Sequence, residues 1–210
     1  MTHRETFDAA FARCPLVAIL RGVKPDEVEA IGEALVGAGF TIIEVPMNSP
    51  QPLDSIARLA KALAGRAVIG AGTVLRVEDV DAVAEAGGTI IIAPNANTAV
   101  IAAAAARGLV AMPGIATPTE AFAALDAGAA ALKLFPAEAA SPTVLKAMRA
   151  VLPKDMRVLP VGGINADGLG PWLAVGAAGF GLGSALYTPG MTAADVATRA
   201  RGFVAALAAG

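Results

Sequence analysis

The chain has 210 residues, a formal net charge of −2, one cysteine and one histidine, and 56% of its residues are hydrophobic against 16% charged. So apolar a composition excludes a disordered chain, and a lone Cys14 excludes an internal disulfide scaffold. The near-neutral balance gives no electrostatic footprint for nucleic acid, and the length fits a single domain, residues 1–210.

The N-terminal stretch MTHRETFDAAFARC carries charges throughout and has no apolar signal core, and residues 4–12 read as a helix standing outside the pattern that follows. Short apolar runs then recur: LVAIL (16–20), TIIEV (41–45), AVIGA (67–71), TIIIA (89–93), LVAMP (109–113), ALKLF (131–135), RVLPV (157–161) and GFGLG (179–183). Their centres lie 20 to 26 residues apart, the room that a strand, a helix and two short loops require. The runs do not alternate apolar with polar residues, as expected of parallel strands covered on both faces. A membrane span needs about 20 uninterrupted apolar residues, and the Ala-rich stretch 96–106 is broken by Asn97 and Thr98 before it meets Arg107. A soluble cytoplasmic protein with no membrane partner is expected.

Between the runs, Ser49-Pro50, Thr117-Pro118 and Ser141-Pro142 each read as a helix N-cap followed by proline at the first helical position. Gly39, Gly65, Gly88, Gly108 and Gly128 stand where a helix ends in a left-handed glycine just before a strand. Thr117 with Glu120 matches a capping box, which makes Glu120 structural. Eight βα units predict an α/β fold, a compact TIM (β/α)8 barrel with an extra N-terminal helix, since a doubly wound flavodoxin-type sheet would stop at five strands.

In such a barrel the chemistry sits at the C-terminal ends of the strands. Three charges stand there: Arg21 after the first strand, Glu44 late in the second and Lys133 in the sixth, whereas Arg157 opens its strand and belongs to the opposite, stabilising end. Lys133 lies between Leu132 and Leu134. Burial there disfavours the ammonium and yields the neutral amine that attacks carbonyls. The alternatives are an ion pair with Glu44 or a lysine reaching the rim. Glu44 is a candidate general base or the counter-ion of Lys133 or Arg21. Arg21 offers a bidentate fork for a carboxylate, or is simply a surface arginine at a strand end.

The pairs VGG (161–163) and LGS (182–184) end the seventh and eighth strands, where barrels frequently bind phosphate through backbone N–H groups. Gly162, Gly163, Gly183 and the Ser184 hydroxyl are therefore phosphate candidates. Thr73 and Pro94-Asn95, after the third and fourth strands, are further lining candidates. Gly72 reads as a tight turn, Trp172 as packing and Cys14 as an inert thiol, while His3 stands alone near a terminus. No cluster has metal-ligand spacing and no G-x-G-x-x-G opens a helix after the first strand, so neither a metal nor a dinucleotide cofactor is expected.

The strings AILRG (18–22), IEVPMNSPQP (43–52), IGAGTVL (69–75), APN (93–95), PGIATPTEA (113–121), ALKLFPA (131–137), VGGI (161–164) and GLGSALY (181–187) resemble the class I aldolases of 2-keto-3-deoxy-6-phosphosugar acids over nearly the whole chain. The resemblance implies that Lys133 forms a Schiff base, Glu44 handles protons and Arg21 and Thr73 hold the pyruvyl carboxylate. It further implies that Pro94 and Phe135 pack the pocket and that Gly162, Gly163, Gly183 and Ser184 bind phosphate. No cofactor is required, the partner is a small phosphosugar acid, and a homotrimer is expected. The implied reaction is a retro-aldol cleavage giving pyruvate and D-glyceraldehyde 3-phosphate. Met47-Asn48-Ser49-Pro50 and Val161 look like the galactonate branch, where gluconate enzymes usually carry a threonine- and arginine-containing turn and a threonine. Val161 is thus a candidate for epimer selectivity. The rivals are a gluconate-epimer or 4-hydroxy-2-oxoglutarate aldolase, a phosphosugar-binding barrel without lyase activity, and a barrel isomerase or phosphate-transfer enzyme.

Overall fold

The computed structural model describes residues 1–209. All eight apolar runs become strands: β1 (Leu16–Ile19), β2 (Ile42–Pro46), β3 (Val68–Gly72), β4 (Ile90–Ile92), β5 (Val110–Met112), β7 (Leu132–Leu134), β8 (Val158–Pro160) and β9 (Phe180–Leu182). A ninth segment, β6 (Gly114–Ile115), follows β5 across Pro113. Every pairing is parallel.

Where one continuous eight-stranded sheet was expected, the ladder divides into a six-stranded sheet, β5-β4-β3-β2-β1-β9, and a three-stranded sheet, β6-β7-β8. The division at Pro113 has a local cause. Its carbonyl accepts a bond from Lys133 N at 2.9 Å, but proline has no N–H to donate, so the fifth strand is split. At the other seam, β8 and β9 meet through the single bridge Val161↔Gly181 and a bond from Ala178 N to Val158 O at 3.0 Å.

Helices alternate with the strands: α1 (His3–Arg13), α2 (Val28–Gly37), α3 (Pro52–Ala62), α4 (Val77–Glu85), α5 (Thr98–Ala106), α6 (Pro118–Asp126), α7 (Pro142–Arg149), α8 (Leu169–Leu173) and α9 (Ala193–Ala209). Thr117 caps α6 in a full capping box with Glu120, and Ser141 caps α7 through Val144 N, each with proline in the first turn. The Ser49-Pro50 expectation is corrected. Here α3 starts at Pro52 behind a left-handed Gln51, and the buried Ser49 Oγ instead accepts a bond from Gly22 N at 3.0 Å. Of the Gly87-Gly88 pair it is Gly87, at φ +85°, that takes the left-handed position assigned to Gly88. Among the described residues no helix is long and apolar enough to cross a membrane.

Two apolar clusters hold these layers together. One joins strand residues such as Ala18, Ile43, Ile69 and Leu132 to the helices. The other gathers the opposite side chains of both sheets, including Val17, Ile42, Val68, Ile90, Val110, Ala131 and Leu159, around Phe7, Ala10 and Phe11 of α1. Helix α1, begun by a Thr2/Glu5 capping box, therefore closes the end of this inner core nearest the strand starts. Arg157 pairs with Asp8 and lies over the rings of Phe7 and Phe11 at 5.7 and 4.8 Å, the stabilising role expected of it.

Candidate active site

Side chains alternate along a strand, so Glu44 shares the inner face with Ile42, and Lys133 shares it with Ala131. Each lies nearer the strand ends than the apolar residue it follows, on the side away from α1. Glu44 pairs in register with Ile19 and Gly70, and Lys133 with Gly114 and Leu159. Both are buried, at 1% and 5% exposure, an expensive placement for two ionisable groups. Glycines surround them. A Cβ on Gly72 would overlap the Glu44 carboxylate, while one on Gly70 or Gly114 would overlap the backbone of Ile90 or Pro94. Gly72 is thus the hollow that seats Glu44, not only a turn.

Burial pushes the Glu44 carboxyl up to about 7, against the pull of the nearby Lys133 and Arg21 charges. Burial likewise lowers the Lys133 ammonium below its ordinary value, with Glu44 opposing and Arg21 assisting the shift. The two groups feel each other without a direct ion pair, which would need an N···O separation of 4.0 Å or less. Among the described residues Glu44 Oε2 is buried with no hydrogen-bond partner. Lys133 Nζ stands 4.8 Å from the centre of the Phe135 ring.

Arg21 leaves β1 at the same end. Its Nη1 donates to Asn48 Oδ1 at 2.5 Å and its Nη2 to Thr73 Oγ1 at 3.4 Å. Thr73 is held at φ +57°, an uncommon backbone for a β-branched residue. Arg21, Lys133, Phe135, Val161, Gly162, Gly163, Gly183 and Ser184 line one cleft of about 170 Å³, together with Ile19, Glu138, Ile164, Asn165 and Ala185. Gly162 and Gly163 are both left-handed, at φ +106° and +65°. The Gly183 carbonyl accepts from Leu186 N and Tyr187 N at 2.8 and 3.0 Å, and Tyr187 Oη donates to Glu27 at 3.0 Å, tying this turn to the loop after β1.

The structure therefore gathers eight of the residues singled out in the sequence around one cleft. Glu44 is electrostatically linked to Lys133 and Arg21, and Thr73 joins through its bond to Arg21. Pro94 is not on the cleft wall; its carbonyl lies against Gly114, the β6 neighbour of Lys133. Sequence reasoning passed over Asn48 as the partner of Arg21, Gly72 as the seat of Glu44, and Glu138. Only Asn48 left a signal, as part of the turn after the second strand.

A family model described as "Aldolase: KDPG and KHG aldolase" matches residues 7–200. The chain is 49% identical over 195 residues to a probable 2-dehydro-3-deoxy-6-phosphogalactonate aldolase of Rhizobium meliloti (strain 1021), covering 93% of this chain and 91% of that protein. It is 48% identical over 194 residues to the 2-dehydro-3-deoxy-6-phosphogalactonate aldolase of Escherichia coli (strain K12), with 92% and 95% covered. A solved structure described as native KDPGal superposes with a TM-score of 0.92 at 47% identity, over 94% of this chain and 96% of that one.

Proposed function

The chain belongs to the KDPG and KHG aldolase family, and on that premise we propose that it is a class I aldolase cleaving 2-dehydro-3-deoxy-6-phospho-D-galactonate to pyruvate and D-glyceraldehyde 3-phosphate. The neutral amine of Lys133 attacks the keto carbon, carbon 2, and loss of water gives an iminium. Glu44, directly or through a water, takes the proton of the carbon-4 hydroxyl. The bond between carbons 3 and 4 breaks, its electrons passing into the iminium to form an enamine, and the aldehyde leaves. Protonation at carbon 3 and hydrolysis then release pyruvate and restore the amine. Because the iminium is the electron sink, no cofactor takes part.

The observation that carries this reading is the buried Lys133 amine, lowered in pKa by burial, on one inner face with a Glu44 carboxyl held near neutrality and missing a partner. A structural ion pair would close the gap between them. A pair that must admit a reacting carbonyl and a hydroxyl between its members leaves it open. Arg21, with Thr73 and Asn48 fixing its fork, is suited to the substrate carboxylate. The Gly162-Gly163 and Gly183-Ser184 turns are suited to its phosphate. The Phe135 ring faces the Lys133 Nζ, and Pro94 supports the β6 backbone beside it. Val161 sits on the cleft wall just before the glycine turn. An apolar group there cannot hydrogen-bond the carbon-4 hydroxyl, at which galactonate and gluconate differ, and near-half identity to two relatives named for the galactonate acid favours that epimer.

We further infer that the two sheets are parts of one closed eight-stranded barrel. The bridge Val161↔Gly181 at one seam and chain continuity through Pro113 at the other support it. We infer a homotrimer from the family resemblance alone; Leu75, Val77 and Phe122 are apolar side chains left exposed on the single chain. A cytoplasmic location is compatible with a chain whose lone cysteine, Cys14, is buried and has no disulfide partner within it.

Incubation with pyruvate and borohydride, followed by intact-mass analysis and peptide mapping, tests the mechanism. A reduced pyruvyl adduct on the peptide carrying Lys133 is expected. Folded protein without an adduct overturns the Schiff-base mechanism in favour of a phosphosugar-binding barrel.

A further inference from the structure

The cleft between Lys133 and the glycine turns carries one charged side chain with no part in the steps above. Glu138 stands in the short 3-10 turn Ala137–Ala139 that follows the Lys133 strand, and its exposed side chain lines the cleft with Lys133, Gly162, Gly163 and Ser184. The glycine turn makes room for it. A Cβ on Gly162 would overlap the Glu138 carboxylate, and one on Gly163 would press on its Cγ. Among the described residues, no hydrogen bond or ion pair engages that carboxylate.

A carboxylate beside a phosphate site is repelled by the anion, so its presence on this wall calls for a donor that the substrate itself brings. With carbon 2 on Lys133 and the carbon-6 phosphate at the glycine turns, the hydroxyls of carbons 4 and 5 lie between. The carbon-4 hydroxyl is the one whose proton Glu44 removes. That leaves the carbon-5 hydroxyl, next to the phosphate-bearing carbon, at the end of the cleft where Glu138 lies. The neighbouring Asn165 is already engaged, its Nδ2 donating to Gly163 O at 3.2 Å.

We propose that Glu138 accepts a hydrogen bond from the carbon-5 hydroxyl, and so selects phosphorylated aldehydes that carry a hydroxyl beside the carbonyl. An ionised carboxylate is acceptor-only and bonds a hydroxyl about twice as strongly as a neutral acceptor does. The inference rests on the aldolase reading above, and it concerns specificity, not the bond-breaking step.

The test runs the reaction towards addition, with pyruvate and either D-glyceraldehyde 3-phosphate or 3-phosphooxypropanal, which lacks the neighbouring hydroxyl. The readout is the ratio of kcat/KM for the two aldehydes, in which any loss of folded enzyme cancels. The wild type favours the hydroxylated aldehyde, and Glu138→Gln and Glu138→Ala each lower the ratio by about tenfold or more. A ratio unchanged in both variants means that Glu138 only fills the turn, and overturns the proposal. A parallel gain on both aldehydes means that it merely repels phosphate, and overturns it equally. A wild type that prefers the hydroxylated aldehyde beside variants that keep the preference overturns this inference alone, whereas a wild type that condenses neither aldehyde overturns the aldolase reading with it.

Discussion

Gly72 and Glu44 share one volume: a Cβ on the β3 glycine would overlap the carboxylate that β2 sends towards it. The carboxylate is almost wholly shielded from solvent, so a methyl there must displace it within the protein interior. Gly72→Ala is therefore expected to act on both stability and rate. Forcing a methyl into a packed interior costs about 1–3 kcal/mol, or roughly 2–4 °C in Tm per kcal/mol for a chain of this size. Cleavage should fall further than the loss of folded protein explains, because Glu44 is displaced from Lys133. A thermal melt alongside a cleavage assay reads the two separately, and an alanine variant with wild-type kcat would mean that the glycine does not seat Glu44 for the proposed reaction.

Lys133→Met separates chemistry from structure. If the lysine were a structural counter-ion, removing it would leave Glu44 as an uncompensated buried charge and cost several kcal/mol. Here Glu44 already lies near neutrality through burial and can take up a proton instead, while methionine fills a similar volume beside Phe135. Turnover and borohydride trapping are expected to vanish, with Tm at pH 6 within a few degrees of the wild type.

The strands were legible because burial on both faces leaves runs of Val, Ile, Leu and Ala with little else in them, and β4 and β5 fall wholly inside such runs. Lys133 and Glu44 were legible for the same reason, as charges interrupting that pattern. Their surroundings were not. The break at Pro113 depends on which neighbour its missing N–H would have served, and Ser49-Pro50 carries the composition of a helix start while its hydroxyl serves Gly22 across the fold. Gly72 and Glu138 matter through residues distant in sequence, Glu44 and the Gly162-Gly163 turn, and no local pattern encodes those contacts.

The bond from Arg21 Nη1 to Asn48 Oδ1 fixes a long exposed side chain that would otherwise sample many rotamers. Asn48→Ala should loosen the fork without removing its charge. KM for the keto acid is expected to rise by about tenfold, corresponding to one charge-assisted hydrogen bond, with a smaller change in kcat. Steady-state kinetics with pyruvate as the varied substrate in the addition direction measures it. An unchanged KM would mean that Thr73 alone orients the guanidinium.

At the far end of the inner core, Phe7 is fully buried among side chains from both sheets, and Arg157, the residue just before β8, reaches Asp8 of α1. Phe7→Ala should cost about 3–5 kcal/mol through lost burial and the cavity left behind. Arg157→Ala should cost about 1 kcal/mol, since its pair with Asp8 is partly solvent-screened. Neither touches the cleft. Chemical denaturation should register both losses, while kcat per folded molecule stays at the wild-type value.

Glu44 also sets a pH dependence whose sign follows from its shift. Its carboxyl titrates near 4.5 when unfolded and near 7 when folded, so between those values the folded chain holds more protons than the unfolded one. Stability from this group is therefore full below about pH 4.5 and declines as pH rises to about 7, by on the order of 3 kcal/mol at most. Lys133 has the opposite effect at higher pH: its folded pKa is depressed, so stability recovers as pH climbs from that value towards 10.5. Glu44→Gln removes the first of these, and its gain in Tm over the wild type should be larger at pH 8 than at pH 5. Its cleavage rate should fall by about a hundredfold or more. In the proposed mechanism turnover needs Glu44 ionised and Lys133 neutral, so the wild-type kcat/KM should rise with pH through neutrality, and the residual activity of the glutamine variant should lack the Glu44 limb of that rise. A Tm difference independent of pH between 5 and 8 would mean that Glu44 is ionised at an ordinary carboxylate pKa and is not held near neutrality by burial.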